Sequence, residues 1–138
     1  MANQLQIVIY EGYLGAEPEM RYTPAGKSVT NFRMGSSRKY KNPQGEEIKE
    51  TTWLKVVAWG KLGEIVNQYC GTGSQVIVTG RLRPDPNTGS PAIYETKSGG
   101  HGAAFEVVAT DVRILKSKEG AQTEPGNEAP VDDGDIPF

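Results

Sequence analysis

Residues 51–61, Thr-Thr-Trp-Leu-Lys-Val-Val-Ala-Trp-Gly-Lys, form the stretch on which the fold prediction rests. Its first nine residues have the pattern of a strand, in which successive side chains point to opposite faces. One face carries apolar side chains, as a core face does: Leu54, Val56 and Ala58. The other face carries two large flat rings with an ammonium group between them: Trp53, Lys55, Val57 and Trp59.

The face with the two tryptophans has two interpretations. Flat rings stack on bases and a cation attracts phosphate, so the face suits a single nucleic acid strand. Alternatively, both faces are buried, as in a sandwich core. A buried Lys55 would then need a partner or a route to water. The stretch by itself leaves both interpretations open.

Charge is distributed unevenly along the chain. Residues 1–115 carry 13 Lys and Arg against 11 Asp and Glu, whereas residues 116–138 carry 2 against 6. Residues 21–61, which surround the Trp strand, carry 9 basic and 3 acidic residues. Because the field is local, the net charge of -2 does not exclude a polyanionic partner.

The rest of the pattern predicts a small barrel. Strands are predicted at 4–14, 28–37, 51–59, 75–82 and 105–115, with a short further strand at 93–96. A helix is predicted at 61–70, where apolar residues recur at helical spacing. Residues 38–50, 83–91 and 98–102 are predicted to be loops. A helix between strands three and four is the order of an OB-fold, so the predicted fold class is all-β, a five-stranded Greek-key barrel with one short helix.

The C-terminal segment differs in composition from the rest. Residues 116–138 cannot bury enough apolar surface to fold, so we predict a disordered acidic tail. The predicted organisation is a barrel domain at 1–115, a flexible linker at 116–131 and an acidic tip at 132–138. The tip combines acids with apolar residues: Asp132, Asp133, Asp135, Ile136, Pro137 and Phe138. It is either a ragged terminus or a short docking peptide.

Several chemistries find no support in the sequence. Cys70 is the single cysteine, which suits a reducing compartment, and His101 is the single histidine, so no metal site or cofactor is predicted. No signal peptide or stretch of about 18 apolar residues is found, so we expect a cytoplasmic protein without membrane contact. Neither a nucleophile with its base nor a carboxylate pair is suggested, so we predict no enzyme.

Four motifs, in order, resemble the bacterial-type single-stranded DNA-binding protein family. They are Gly12–Gly26, the segment from Thr52 to Leu62, Gly73–Leu82 and the tip at 132–138. The resemblance covers residues 5–115 with gaps, plus the last seven residues. It implies an OB-fold that binds and protects single-stranded DNA without strong sequence preference during replication, recombination and repair.

The resemblance also implies particular binding residues. Aromatic positions that match the family's stacking residues are Tyr40, Trp53 and Trp59. Tyr40 stands where tryptophan is common and Trp59 where phenylalanine is common, and both keep a π-face. A further family aromatic after strand four has no counterpart, because residues 84–91 contain none. The cations that we predict to contact phosphate are Arg33, Lys55, Lys61, Arg38, Lys39 and Lys41, followed by Arg21, Arg81 and Arg83.

Assembly and partners are also implied by the resemblance. It predicts a homotetramer, and we expect the exposed edge of the first strand, residues 4–10, to be the pairing edge. The tip would recruit replication and repair proteins, and the protein would be associated with the nucleoid. Residues 98–104 look like an insertion. An RNA-binding or primosome-type OB protein is an alternative, against which the acidic tip argues, and a nuclease or other enzyme is a third class.

Overall fold

The structure is a computed structural model that describes residues 3–118. Six strands form one sheet, two short strands form a second sheet, and one helix follows the fourth strand. The elements in chain order are β1 (Val8–Leu14), β2 (Glu19–Tyr22), β3 (Ser28–Lys41), β4 (Glu47–Trp59), α1 (Gly60–Tyr69), β5 (Gln75–Leu82), β6 (Ile93–Glu95), β7 (His101–Ala103) and β8 (Phe105–Lys116).

Five strands close into a barrel in the order β1-β5-β8-β4-β3, with β3 pairing back to β1. The closing pairs are Tyr13 with Gly35 and Leu14 with Met34. The two strands approach closely, and a Cβ at Gly12 would overlap the carbonyl group of Gly35, so a residue without a side chain is required there. The predicted five-stranded OB-fold with one helix is therefore confirmed, and β2 adds a sixth strand outside the barrel on β3.

The barrel interior is filled by the inward-facing side chains, which alternate along each barrel strand, and by one face of the helix. The buried core consists of Leu14, Phe32, Met34, Leu54, Val56, Ala58, Val66, Cys70, Val76, Val78, Val107 and Ala109. Full burial of a side chain such as Val or Met contributes roughly 1.5–3 kcal/mol relative to exposure. The predicted helix is confirmed to within one residue at each end, and its buried residues include Val66 and Tyr69.

The predicted loop at 38–50 is wrong, because most of it forms a two-stranded ribbon. Strand β3 continues to Lys41 and β4 begins at Glu47, so only residues 42–46 form the turn. The Asn42 side-chain oxygen accepts the backbone N–H groups of Gln44 and Glu46, and Gly45 adopts φ 83°, which favours glycine. Polar composition suggested a loop, but a ribbon whose strands pair only with each other within residues 3–118 can be polar on both faces.

Three smaller strand predictions also differ from the structure. The first strand begins at Val8 rather than at residue 4, since residues 3–7 form no strand pairing within the described chain. Strand β2 was missed because its four residues lie between two turn signals in the sequence, and only their pairing with β3 makes them a strand. The predicted flexible interruption at 98–102 contains the turn and start of a β6–β7 hairpin.

Candidate nucleic-acid interface

Strand β4 divides its side chains between the core and the outside as the alternation predicts. The inward set is buried: Leu54, Val56 and Ala58. On the outward face, Trp53 and Trp59 keep 43% and 44% of their surface exposed, and Lys55 is also exposed. Of the four residues on that face, only Val57 is buried. The outward face is therefore an accessible aromatic and cationic surface rather than a second core.

The two tryptophans are separated along the strand. They are six residues apart, which corresponds to about 20 Å at the rise of a β-strand. A single base cannot contact both rings at that separation. Trp53 and Trp59 therefore form two distinct stacking positions on one face, with room for further nucleotides between them.

A row of charged residues crosses the outward face beside Trp53. Arg33 on β3 lies opposite Lys55 on β4, and Lys55 lies beside Glu106 on β8. The backbone N–H of Arg83 donates to the Glu106 carbonyl, which adds Arg83 to the end of the row. Cross-strand neighbours share a face of the sheet, so three cations and one carboxylate lie side by side.

The strand register also shows on which face of the sheet Arg21 and Arg81 lie, which the sequence left uncertain. Arg21 lies opposite Val29, which lies opposite Trp59, so Arg21 belongs to the Trp59 row. Arg81 lies beside Val108, which is the neighbour of Val57, so Arg81 is also on the outward face. Lys61 is exposed in the first turn of α1, two residues after Trp59.

The Trp53 ring is held by glycines and by an arginine. A Cβ would lie 2.9 Å from the ring at Gly15 and 3.0 Å from it at Gly35, so both positions leave the space that the indole occupies. The Arg33 guanidinium lies over the ring, 4.2 Å from its centroid. At this distance a cation–π attraction contributes about 0.5–1 kcal/mol at an exposed site. Trp53 is thus positioned in the absence of any ligand.

A groove of about 610 Å³ lies next to Trp53 and contains an aromatic residue that the sequence analysis missed. Its lining includes Trp53, Arg33, Lys55, Glu106 and Tyr94. Tyr94 belongs to the β6–β7 hairpin and is 52% exposed. The loop at 84–91 contains no aromatic residue, and the ring comes instead from the next short strand. Tyr94 is visible in the sequence, but only the hairpin shows that it reaches the groove.

The ribbon separates two of the predicted residues from the Trp face. Alternation from Arg33 places Lys39 and Lys41 on the outward face of β3, and it places Arg38 and Tyr40 on the opposite face. Tyr40 is 39% exposed, and the Arg38 guanidinium lies 4.8 Å from its ring centroid. The structure therefore groups Trp53 with Trp59 but leaves Tyr40 on the other side of the ribbon.

Lys49 is a further cation of the ribbon that the sequence analysis did not select. The register places it directly opposite Lys39. Like charges in directly opposite positions are destabilising, and an anion between the two ammonium groups would relieve their repulsion. Both lysines can be read from the sequence, but only the pairing of β3 with β4 shows that they lie opposite each other.

Four of the predicted cations lie near a carboxylate. Their ion pairs are Arg21 with Glu19 at 3.2 Å, Arg38 with Glu50 at 2.8 Å, Lys55 with Glu106 at 3.9 Å and Arg83 with Glu106 at 4.0 Å. Exposed ion pairs contribute only about 0–1 kcal/mol, so a phosphate can replace Glu19 or Glu50 at little cost. Within residues 3–118, the other predicted cations have no carboxylate within 4.0 Å: Arg33, Lys39, Lys41, Lys61 and Arg81.

Glu17 connects the loop after β1 to the turn after α1. Its carboxylate accepts the backbone N–H of Thr72 at 2.9 Å and the Thr72 hydroxyl at 3.1 Å. These hydrogen bonds, the backbone one foremost, lower the pKa of Glu17 below its ordinary value, and Lys118 adds a smaller effect in the same direction. Because Glu17 also lines the groove, this contact fixes part of the groove wall.

The described chain has neither a metal-binding cluster nor a membrane-spanning helix. No cluster of three or more His, Cys, Asp or Glu residues that could hold a metal ion occurs in residues 3–118. No helix within that range is long and apolar enough to cross a membrane. The predicted docking residues lie outside the described residues: Asp132, Asp133, Asp135, Ile136, Pro137 and Phe138.

Comparison with known proteins gives consistent results. Residues 5–115 match the model of the single-strand binding protein family. The chain is 38% identical over 119 residues to single-stranded DNA-binding protein 1 of Chlorobaculum tepidum, covering 86% of this chain and 70% of that protein. It is 35% identical over 115 residues to a single-stranded DNA-binding protein of Xanthomonas campestris pv. campestris, covering 83% of this chain and 63% of that protein.

A solved structure shows the same fold. The chain resembles the Plasmodium falciparum SSB in complex with single-stranded DNA, with a TM-score of 0.66 and 18% sequence identity. The match covers 84% of this chain and 99% of that one. At this identity the likeness concerns the barrel alone.

Proposed function

The chain belongs to the single-strand binding protein family, and from that premise we propose that it binds and protects single-stranded DNA without strong sequence preference. We place this activity in replication, recombination and repair, in the cytoplasm on the nucleoid. The chain acts as a binding protein and not as an enzyme in this proposal.

One observation carries the proposal: exposed aromatic rings and cations share the outward face of β3 and β4. Trp53 and Trp59 offer π-faces to bases, and Arg33 and Lys55 lie opposite each other beside them. Every base has a π-face, so stacking tolerates any sequence, and the cations follow the backbone phosphates. In a duplex the faces of the bases are already stacked, which makes duplex DNA a poor ligand for this surface.

Filter binding with poly-dT, duplex DNA and single-stranded RNA tests the proposal. We expect dT to bind most tightly, with affinity that falls with salt at a log–log slope near -0.7 per phosphate contacted. Tighter binding of RNA than of dT would favour the RNA-binding alternative. Equal binding of duplex and dT, or a slope near zero, would contradict the proposal.

We propose assembly into a homotetramer through β1. The side of Val8–Gly12 that faces away from β5 has no strand partner in the described chain, since β3 pairs only with Tyr13 and Leu14. Leu5, Ile7 and Ile9 are exposed next to this edge. A second copy that pairs there would complete hydrogen bonds and cover apolar surface. Light scattering at micromolar concentration should give the mass of four chains, and a monomer would contradict the proposal.

We propose that residues 132–138 recruit replication and repair enzymes. The support is compositional: aspartates next to Ile-Pro-Phe combine long-range attraction to a basic rim with an apolar anchor for a pocket. Pro137 limits the chain entropy that is lost on docking.

Deletion of Phe138 tests the role of the tip. The deletion should abolish recovery of replication and repair enzymes in a pull-down and leave dT affinity unchanged. Deletion of Gly126 from the linker is the matched control and should preserve recovery. Equal recovery with the intact and Phe138-deleted proteins would contradict the docking role.

A further inference from the structure

Glu106 is one of three carboxylates that line the groove beside Trp53, together with Glu17 and Glu19. Of the charged residues that line the groove beside Trp53, it is the only one that is not exposed, with 15% of its side chain accessible. Its position on β8 places it between two cations, with Lys55 on one side and Arg83 on the other. An acid in a DNA-binding groove repels phosphate, so its presence there requires a physical reason.

The contacts of Glu106 leave its oxygens able to accept hydrogen bonds. Oε2 lies 3.9 Å from Lys55 Nζ and Oε1 lies 4.0 Å from Arg83 Nη1, both beyond hydrogen-bond distance. Within residues 3–118, no donor forms a hydrogen bond with either oxygen. The two cations offset the negative charge of Glu106, but they leave its oxygens able to accept hydrogen bonds.

The groove brings this acceptor next to a stacking surface. Trp53 and Tyr94 line the same groove, so a base that stacks there presents its edge to the groove wall that contains Glu106. An ionised carboxylate accepts hydrogen bonds and donates none. The base edge that complements it is one with an N–H donor, and carboxylates are typical partners of the 4-amino group of cytosine. Thymine presents a carbonyl oxygen at position 4, which would repel the carboxylate, and its N3–H donor lies between two carbonyl oxygens.

We infer that Glu106 accepts a hydrogen bond from the exocyclic amino group of a base held between Trp53 and Tyr94, and that this one subsite favours cytosine over thymine. The inference rests on the proposed single-stranded DNA binding and deepens it. Lys55 and Arg83 hold the neighbouring phosphates and offset their repulsion by the acid. Stacking elsewhere on the surface remains tolerant of sequence.

The test compares the dC and dT affinities of the full chain, using oligonucleotides of equal length at about pH 8. Loss of a negative charge raises affinity for both ligands, so the informative quantity is the ratio of the dC affinity to the dT affinity. In Glu106→Gln the amide can both accept and donate, which removes the discrimination. We expect the dC to dT ratio to fall about fivefold, as the loss of one modest hydrogen bond predicts.

Glu19→Gln is the matched control. It removes the same charge from the same groove, but Glu19 already accepts from Arg21 at 3.2 Å, so the ratio should be unchanged. A measurement on the unmodified protein complements the variants: replacing cytosine by 2-pyrimidinone, which lacks the 4-amino group, should weaken binding by a similar factor.

The possible outcomes separate this inference from the proposed function. An unchanged ratio in Glu106→Gln, an equal shift in both variants, or equal affinity for cytosine and 2-pyrimidinone would overturn the inference while leaving DNA binding in place. Failure of the unmodified protein to bind either oligonucleotide would overturn the proposed function itself.

Discussion

The groove beside Trp53 and the ribbon formed by the outer parts of β3 and β4 carry similar side chains on very different supports. In the groove, β4 is paired on both sides, with β3 and with β8 over Leu54–Val57. In the ribbon, from Ser37 to Thr51, the two strands pair only with each other. Binding groups in the groove are therefore supported from more sides than those in the ribbon, and we expect the ribbon to lose more conformational freedom on binding. Preorganisation of this kind lowers the cost of association.

The two aromatic positions illustrate the difference. Each ring has an arginine above it, Arg33 over Trp53 at 4.2 Å and Arg38 over Tyr40 at 4.8 Å. Trp53 also packs against Gly35 on β3 and Gly15 directly after β1, while Tyr40 lies on the opposite face of the ribbon, where the described residues provide no third strand. The same pairing of ring and cation should therefore contribute more to binding in the groove than in the ribbon.

Replacement of Trp53 should give the largest effect. Base stacking contributes roughly 1–3 kcal/mol per base, so Trp53→Ala should weaken dT binding by about one to two decades. Equilibrium titration with a dT oligonucleotide measures the change, and thermal unfolding controls for the fold. Normal binding by a normally folded Trp53→Ala protein would remove the groove from the interface.

Replacement of Tyr40 should have a smaller effect. Ordering the ribbon offsets part of the stacking energy, so Tyr40→Ala should weaken dT binding by about fivefold, the lower limit of the stacking range. The same titration applies, with Tyr22→Ala as an exposed aromatic control on β2. A loss that equals or exceeds that of Trp53→Ala would reverse the proposed ranking of the two regions.

Replacement of Lys49, which lies opposite Lys39, should weaken DNA binding and stabilise the free protein. Lys49→Gln removes one phosphate contact, which should reduce the magnitude of the salt slope by about 0.7 and weaken binding about threefold at 0.2 M salt. It also removes a like-charge contact, so the free protein should melt at a higher temperature. Lys97→Gln, on the turn of the β6–β7 hairpin, is the matched control. A variant with an unchanged slope would show that Lys49 does not contact phosphate.

Glu17 should affect stability and its pH dependence more than binding. The pKa of Glu17 is lowered in the folded chain. Its ionised carboxylate therefore stabilises the fold fully above the ordinary pKa of glutamate, and this stabilisation is lost as the pH falls through the lowered pKa. Glu17→Gln should therefore melt below the unmodified protein at neutral pH, and the two melting temperatures should converge as the pH falls through the lowered pKa of Glu17. Glu47→Gln, on the ribbon, is the control. A gap that persists undiminished in acid would contradict the role of the carboxylate.

Alternation and spacing were sufficient to predict the barrel and to separate the two faces of the Trp strand, but the exposure of the second face was decided only by the structure. The period of two in residues 51–59 separated Trp53 from Leu54 before any pairing was known, and the helix followed from its own spacing. The ribbon was not predictable in this way, since the polar residues of 38–50 have no buried face to reveal a period. Glu106 and Tyr94 were missed because strand pairing and a later hairpin, not proximity in sequence, bring them to Trp53.

The most direct test of the groove as the site of DNA binding is the fluorescence of Trp53 alone. In Trp59→Phe, Trp53 is the only tryptophan, while a π-face remains at the second stacking position. Addition of a dT oligonucleotide, with binding followed independently by the anisotropy of a label on the DNA, should quench the emission of Trp53 in step with binding. Unchanged Trp53 emission on a protein that has bound the oligonucleotide would contradict the account.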